Sequence, residues 1–438
     1  MQFYHGELPA AMIKHNIPGH AIPPKAQHSL KNQRKLICLS PFVGGQLQLD
    51  KKQVLPRGPK FFIMTLIIAL CRKGKIRMSR KLRAGIVGGT GMVGQRFINL
   101  LENHPWFEVT AIAASASSAG KVYEEAVKGR WKLEQPMPEA VKSITVQDAS
   151  KVEEFAAQVD LIFCAVDMKK EEIKALEEAY AKTGTPVISN NSAHRWTPDV
   201  PMVIPEINPG HIAVIEHQRK RLGTTTGFIA VKPNCSIQSY VPALSALAAF
   251  KPTAVVATTY QAISGAGKTF KEWPEMIDNV IPYIGGEEEK SEQEPLRIWG
   301  SIVNGAIVKA PTPAITTQCI RVPVADGHLA AVFASFEKKP PKDEIIDLWK
   351  SFKGRPQELQ LPSAPKQFIT YFEEENRPQT GLDRNIEKGM GVSVGRLRED
   401  LLHDYKFVSL SHNTLRGAAG GAVLIAELLK AEGYIQAK

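Results

Sequence analysis

The spacing of apolar residues changes repeatedly along this chain, and the changes mark its elements. Leu82–Val87 is an apolar run of strand length, a glycine-rich stretch follows it, and apolar residues then recur at helical spacing through Leu101. Val109–Ala114, Leu161–Val166 and Pro186–Ser189 are further strand-length runs, the last two separated by the helical stretch Lys170–Lys182. Strands alternating with helices in this order predict a parallel, doubly wound α/β sheet with right-handed crossovers. Next, Gly227–Val231 reads as a buried strand that Pro233 ends, having no amide for a ladder. Ile237, Val241, Leu244 and Ala248 then recur at helical spacing, which predicts a helix down to Phe250. Leu329–Phe336 is an apolar-rich strand. Residues 1–77 carry neither period and are broken by prolines such as Pro23, Pro24, Pro56 and Pro59.

Charge separates the same tail from the rest. The 438 residues hold 55 Lys+Arg against 44 Asp+Glu, a net of +11. Residues 1–77 hold 13 of the basic residues and 2 of the acids, so the remaining 42 and 42 cancel and the body is neutral. A basic chain suggests nucleic acid or an anionic membrane. Confined to a tail with few aromatics and no motif, the charge argues for neither. The apolar run Phe61–Cys71 is too short to span a bilayer. Met78 reads as an ordinary start, so residues 1–77 are expected to be a dispensable extension rather than a targeting peptide. Five cysteines without metal-ligand spacing fit reduced thiols in the cytoplasm and no metal.

Two motifs carry the chemistry. Gly89, Gly91 and Gly94 satisfy G-x-G-x-x-G between a strand and a helix, with Thr90, Met92 and Val93 between them: a dinucleotide fingerprint. Gly89 is expected to make the tight turn, Gly91 to let pyrophosphate approach, and Gly94 to let helix and strand pack. The second strand ends in Ser115, Ser117, Ser118 and Lys121, where an NAD site usually places a carboxylate. Hydroxyls and a lysine suit a 2′-phosphate, hence NADP. The other motif is Lys232-Pro233-Asn234-Cys235-Ser236, which puts a cysteine where a helix should begin, with Asn234 or Ser236 as its cap. Free amides and the helix dipole would favour the nucleophilic thiolate. His328, at a strand entrance, would supply a base near neutrality. Ser264–Thr269 mimics the end of a phosphate-binding P-loop, but Ala262 stands where that motif needs glycine.

Taken together, residues from about 80 to 438 resemble aspartate-β-semialdehyde dehydrogenase of the fungal and archaeal type. The resemblance rests on Gly88–Arg96, Ser189–Arg195, Pro233–Ser236, Tyr260–Gly267, Ile284–Lys290, Arg321–Val324 with His328, and Asn413–Gly421. It implies a Rossmann-type sheet over 78–232, an α+β catalytic and dimerisation domain over 233–408, and a helix over 409–438 that returns to the nucleotide domain. The implied reaction is the reversible, NADP-dependent reductive dephosphorylation of 4-phospho-L-aspartate to L-aspartate 4-semialdehyde, on the route to threonine, methionine and, in some organisms, lysine. Cys235 would be the nucleophile, His328 the proton shuttle and Gln261 a placing group. Arg321 would bind the substrate carboxylate, Glu287 its ammonium, and Lys290 and Arg195 the phosphate beside Asn234. Ser192, Gly265 and Asn413 would line the cofactor site, and the enzyme would be a homodimer or homotetramer. Glu288 or Glu289 could replace Glu287, and Arg195 is equally open to a surface ion pair. The runner-up is N-acetyl-γ-glutamyl-phosphate reductase, then a malonyl-CoA reductase; outside enzymes, an inactive binding paralogue. A carboxylate near Lys290, matching a free ammonium, favours the first reading.

Overall fold

The computed structural model describes residues 80–438, so the expectation for residues 1–77 lies outside it. Six strands form the first sheet: β1 (Leu82–Val87), β2 (Phe107–Ala114), β3 (Gln147–Asp148), β4 (Leu161–Cys164), β5 (Val187–Ser189) and β6 (Ile229–Val231). They lie in the order β3-β2-β1-β4-β5-β6 and every pair is parallel. The order reverses between β1 and β4, so a crevice opens beyond their carboxyl ends, where such sheets bind nucleotides.

Second-sheet strands are β7 (Pro252–Gln261), β10 (Ala314–Arg321), β11 (His328–Phe336), β12 (Ile369–Phe372), β13 (Val392–Glu399) and β14 (Tyr405–Ser411); β8 (Ser301–Val303) and β9 (Ala306–Val308) make a separate hairpin. The order is β10-β7-β11-β14-β13-β12, parallel at its two outer pairs and antiparallel between. Buried and half-buried positions alternate along β11, as in a sheet with one face on a core. That core is shared: Val87, Ile162 and Ile229 of the first sheet join Val255, Val332 and Val394 of the second in one apolar cluster.

The helix Gly420–Ala431 is buried from Gly420 to Leu429 and packs with Leu82, Ile86 and Phe97 of the first sheet and its helix. Its buried Glu427 meets His104 at 2.8 Å. The helix expected from Ile237 to Phe250 does not form as one piece. The chain makes a 3-10 turn at Ser236–Ser239, a short helix at Val241–Ser245 and another 3-10 turn at Ala248–Phe250. Pro242 has no amide to continue a ladder from the first turn, and instead opens the short helix within its first two residues.

Candidate active site

The glycine-rich turn is built by contacts a side chain would block. Gly88 takes the left-handed φ of 89°, and a Cβ on it would lie 2.4 Å from the Ala165 carbonyl. The tight turn therefore belongs to Gly88, one residue before the Gly89 expected from the motif. Gly89 is required because a Cβ there would meet Ile112 Cγ2 at 2.5 Å, and Gly94 because its Cβ would meet Gly88 O at 2.3 Å. Gly91 faces open space, with no atom nearer than 3.7 Å to its would-be Cβ, and it opens the helix Met92–Leu101 without a side-chain cap. Free helical amides beside an open glycine suit an anion. A cavity of about 500 Å³ lies beyond, lined by Gly88, Thr90, Gly91, Ser115, Asp148, Ser150 and Asp167 among others.

Ser115 Oγ and Ser117 Oγ are 3.0 Å apart, and Lys121 Nζ reaches the Ser117 carbonyl at 3.2 Å. Neither Ser117 nor Ser118 lines the cavity, contrary to expectation, and Ser118 is buried. Asp148 was missed because β3 is too short to show a period; its carboxylate is engaged by the Ser150 amide at 2.9 Å and hydroxyl at 2.8 Å.

A second cavity, about 150 Å³, is lined by Met92, Val93 and Cys235, and also by Asn190, Arg195, Lys232, Asn234, Gly265, Asn413 and Gly417. Ser192 does not line it; Asn190, two residues earlier, does. Asn190 Oδ1 is buried without a hydrogen-bond partner. Asn413 spans the mouth, its amide donating to Ser264 Oγ at 2.8 Å while its oxygen accepts the Gly327 N–H at 2.8 Å. The i+5 turn Leu415–Ala419 presses Gly417 against Cys235, where a Cβ would be 2.8 Å from the cysteine Cβ.

Strand order explains why residues far apart in sequence meet. Gln261 ends β7, Arg321 ends the parallel β10 directly beside it, and His328 begins the antiparallel β11 on the other side. His328 Nε2 lies 3.5 Å from Cys235 Sγ. Gly265 passes over both, its would-be Cβ 2.9 Å from Arg321 Nη1 and 3.2 Å from His328 Nε2. Arg321 Nη1 donates to the Ala262 carbonyl at 2.6 Å, and among the described residues no carboxylate pairs with it. Burial lowers its pKa, Cys235 and Glu287 acting against this.

Of the three consecutive glutamates, Glu287 turns inward: it accepts Asn234 Nδ2 at 3.0 Å and Gln261 Nε2 at 3.4 Å, and pairs with Lys290 at 2.8 Å. Burial works to raise its carboxyl, but Lys290 and Asn234 outweigh it and the net shift is downward. Glu288 instead holds Gln318 and the Cys319 amide, and Glu289 is exposed. Arg195 is not on the surface. It is 7% exposed, paired with buried Glu294 at 2.9 Å and bonded through Nε to the Lys232 carbonyl at 3.0 Å. Glu294 also accepts the Asn234 amide at 2.6 Å, so this pair fixes the backbone beside the cysteine.

Burial works against two electrostatic expectations, a depressed thiol and a base near neutrality. Asn234 Oδ1 caps the turn, accepting the Ser236 amide and hydroxyl at 2.7 Å each, but a single 3-10 turn has little dipole. Burial pushes the Cys235 thiol up, Glu287 adds to this, and Lys232, Arg195 and Arg321 oppose it. Burial, with Arg321 adding, pushes His328 down to about 3. The Ala262 N–H donates to His328 Nδ1 at 3.1 Å, so the neutral ring carries its proton on Nε2, towards sulfur. In this tautomer His328 turns an N–H towards Cys235 Sγ, and burial works against the charged ring that a base near neutrality would form.

Residues 83–215 match the family model described as "Semialdehyde dehydrogenase, NAD binding domain", and residues 244–416 the one described as "Semialdehyde dehydrogenase, dimerisation domain". The chain is 42% identical over 355 residues to the aspartate-semialdehyde dehydrogenase of Methanothermobacter thermautotrophicus, covering 80% of this chain and 99% of that protein. The crystal structure of the Candida albicans aspartate-semialdehyde dehydrogenase with NADP superimposes with a TM-score of 0.73 at 38% identity, over 81% of this chain and 100% of that one. That of aspartate semialdehyde dehydrogenase II from Vibrio cholerae, complexed with ASA, does so at 0.61 and 27%, over 81% and 100%. Identity at this level along nearly the whole of an archaeal relative, with a fungal structure matched end to end, shows that the chain belongs to the aspartate-semialdehyde dehydrogenase family.

Proposed function

We propose that the protein converts 4-phospho-L-aspartate to L-aspartate 4-semialdehyde and phosphate, reversibly, through a thioester on Cys235. The observation that carries this is Cys235 Sγ, 3.5 Å from His328 Nε2, in a cavity also lined by Met92 and Val93, at the start of the helix that follows the glycine turn. Sulfur attacks the acyl carbon, the bond from that carbon to the phosphate oxygen breaks, and phosphate leaves. NADPH supplies the hydride that reduces the thioester, and the fit is supported by the open Gly91 face and by the unpartnered Asn190 Oδ1, an acceptor suited to a carboxamide N–H. Cleavage of the carbon–sulfur bond then releases the aldehyde.

Arg321 is suited to the substrate carboxylate, because its guanidinium is buried at the cleft with no acid of its own and can grip bidentately. Glu287 meets the ammonium, which explains a carboxylate turned inward; an N-acylated substrate would leave it unmatched. Lys290 and Arg195 hold the phosphate, and Gln261 and Asn234 orient the acyl oxygen. His328 Nε2–H donates to the sulfur and to the oxygen of the tetrahedral adduct. Ser115, which lines the nucleotide cavity, is suited to hold a 2′-phosphate, with Ser117 beside it.

We infer dimerisation through the second sheet, a reading supported by the family model's description of residues 244–416, and a cytoplasmic location, with which cysteines lacking a disulfide framework in the sequence agree. Among the described residues, no helix is long and apolar enough to cross a membrane.

The deciding experiment supplies purified protein with aspartate semialdehyde, phosphate and NADP, alongside N-acetylglutamate semialdehyde and the Cys235→Ala variant. NADPH should form only with the first substrate and only with the cysteine. Turnover by a folded Cys235→Ala protein, or a preference for the acetylated aldehyde, sinks the reading.

A further inference from the structure

Glu177 is fully buried and takes no part in the chemistry at Cys235. It stands on the buried face of the helix Lys170–Lys182, with Ile173, Tyr180 and Ala181. Its Oε1 accepts the Ser189 hydroxyl at 2.6 Å and Asn191 Nδ2–H at 2.9 Å, and among the described residues no cation pairs with it. Burial raises its carboxyl against the pull of Ser189, Asn191 and Cys164. A buried carboxyl whose partners are all neutral is costly, and packing alone does not call for it. Its two bonds fall on either side of Asn190. Ser189 ends β5, and its Oγ also accepts the Asn191 amide at 3.1 Å. Asn191 Nδ2 further reaches Cys164 Sγ at 3.5 Å, and the Asn190 amide donates to the Cys164 carbonyl at 2.9 Å. The turn that carries Asn190 is thus held on both flanks and at its own amide, while its side chain lines the cavity of Cys235 with Oδ1 unpartnered. The Ser189 carbonyl accepts the Lys232 amide at 3.0 Å, which ties the same strand end to the segment leading to Cys235.

We propose that Glu177 is a positioning residue for the cofactor: its carboxyl clamps Ser189 and Asn191 so that Asn190, between them, presents Oδ1 to the nicotinamide carboxamide. The clamp works through shape rather than charge. One oxygen takes both bonds, and Oε2 has no hydrogen-bond partner to lose. An amide of the same length can therefore replace the acid. A carboxylate one methylene shorter draws back from both partners. The proposal rests on the reading that the nicotinamide lies against Asn190, and deepens it by naming what holds that residue in place.

Its test is the affinity of the full chain for NADPH and for 2′-phospho-ADP-ribose, which lacks the nicotinamide, measured by calorimetry in the wild type and in variants of Glu177, Asn190 and Asn191. Glu177→Asp should weaken NADPH by at least about fivefold, the weight of a lost hydrogen bond, and leave 2′-phospho-ADP-ribose within about twofold of wild type. Glu177→Gln should bind both ligands as the wild type does. Asn190→Ala should weaken NADPH alone, and adding Glu177→Asp to it should cost nothing further, because the clamp acts through that residue. Equal weakening of both ligands by Glu177→Asp, or additive losses in the double variant, would show that Glu177 serves the fold alone and overturns the proposal. Unchanged NADPH binding in Glu177→Asp overturns it too, as does a Glu177→Gln protein as weak as Glu177→Asp. Should Glu177→Asp fail to fold, Asn191→Ala decides: it keeps the carboxyl and removes one of its two bonds, and wild-type NADPH affinity there overturns the proposal. Failure of the underlying reading looks different: Asn190→Ala itself would bind NADPH like wild type, and the proposal would fall with it.

Discussion

The backbone N–H of Ala262 donates to Nδ1 of His328 across 3.1 Å, and this single bond sets the tautomer of the ring whose Nε2 faces Cys235 Sγ. Ala262 has φ −64°, the value proline imposes. Ala262→Pro therefore removes the donor with little demand on the backbone. Nδ1 is then free to take a proton, and the pH profile of kcat/KM should gain an ionisation displaced upward by about one unit, with kcat lowered about tenfold. A profile identical to wild type would show that the tautomer has no bearing on turnover.

Arg321 should act through the shape of its guanidinium as well as its charge. Arg321→Lys is expected to lose about 10²-fold in kcat/KM, and Arg321→Leu more, while NADP affinity and thiol alkylation persist. Melting temperatures measured beside the kinetics separate this from a structural role. Loss of stability with normal kcat/KM per folded molecule would remove Arg321 from the site.

Cofactor choice should turn on Ser115. The wild-type protein is expected to favour NADP over NAD by at least about tenfold in kcat/KM, roughly 1.4 kcal/mol. A carboxylate in Ser115→Asp would repel a 2′-phosphate and accept a ribose hydroxyl, eroding or reversing the preference. Equal use of both cofactors by wild type would mean that another group sets it, Asp148 being next in line.

Arg416 and Glu206 form a fully buried, two-pronged pair, and the same guanidinium lies 4.6 Å above the Phe368 ring. Glu206→Gln leaves the charge of Arg416 uncompensated and should cost about 3–5 kcal/mol. Denaturant titration reads this directly. Because Arg416 precedes the glycine that touches Cys235, kcat should fall too; an unchanged midpoint would show that water takes over the pairing.

The first sheet was legible because its strands are continuous apolar runs and its turn needs glycines in a fixed order. Gly88 escaped the motif since the fingerprint starts one residue later, and only its close approach to Ala165 exposes its role. Cys235 could be found from Pro233 and Asn234, which end a strand and cap a turn, but apolar spacing does not register Pro242, which breaks the helix after it into short turns. Ionisation was the least legible property. Periodicity marks no burial depth for Cys235, His328 or Lys232, and the Ala262 amide that sets the imidazole tautomer leaves no trace in residue type. Arg195 illustrates the same limit: only its partner Glu294, distant in sequence, shows that it is buried.

The stretch from Asn413 to Ala431 supplies both the turn against the cysteine and the helix beneath the first sheet, so the order of synthesis matters. Strands made early on the ribosome must wait, one flank bare, for nearly the last residues translated. A nascent chain halted anywhere before them exposes apolar surface and is a client for chaperones or proteases. Such a fragment also lacks the turn that packs Gly417 against Cys235, so a stop codon inside that stretch removes both the helix under the first sheet and the closure of the thiol site.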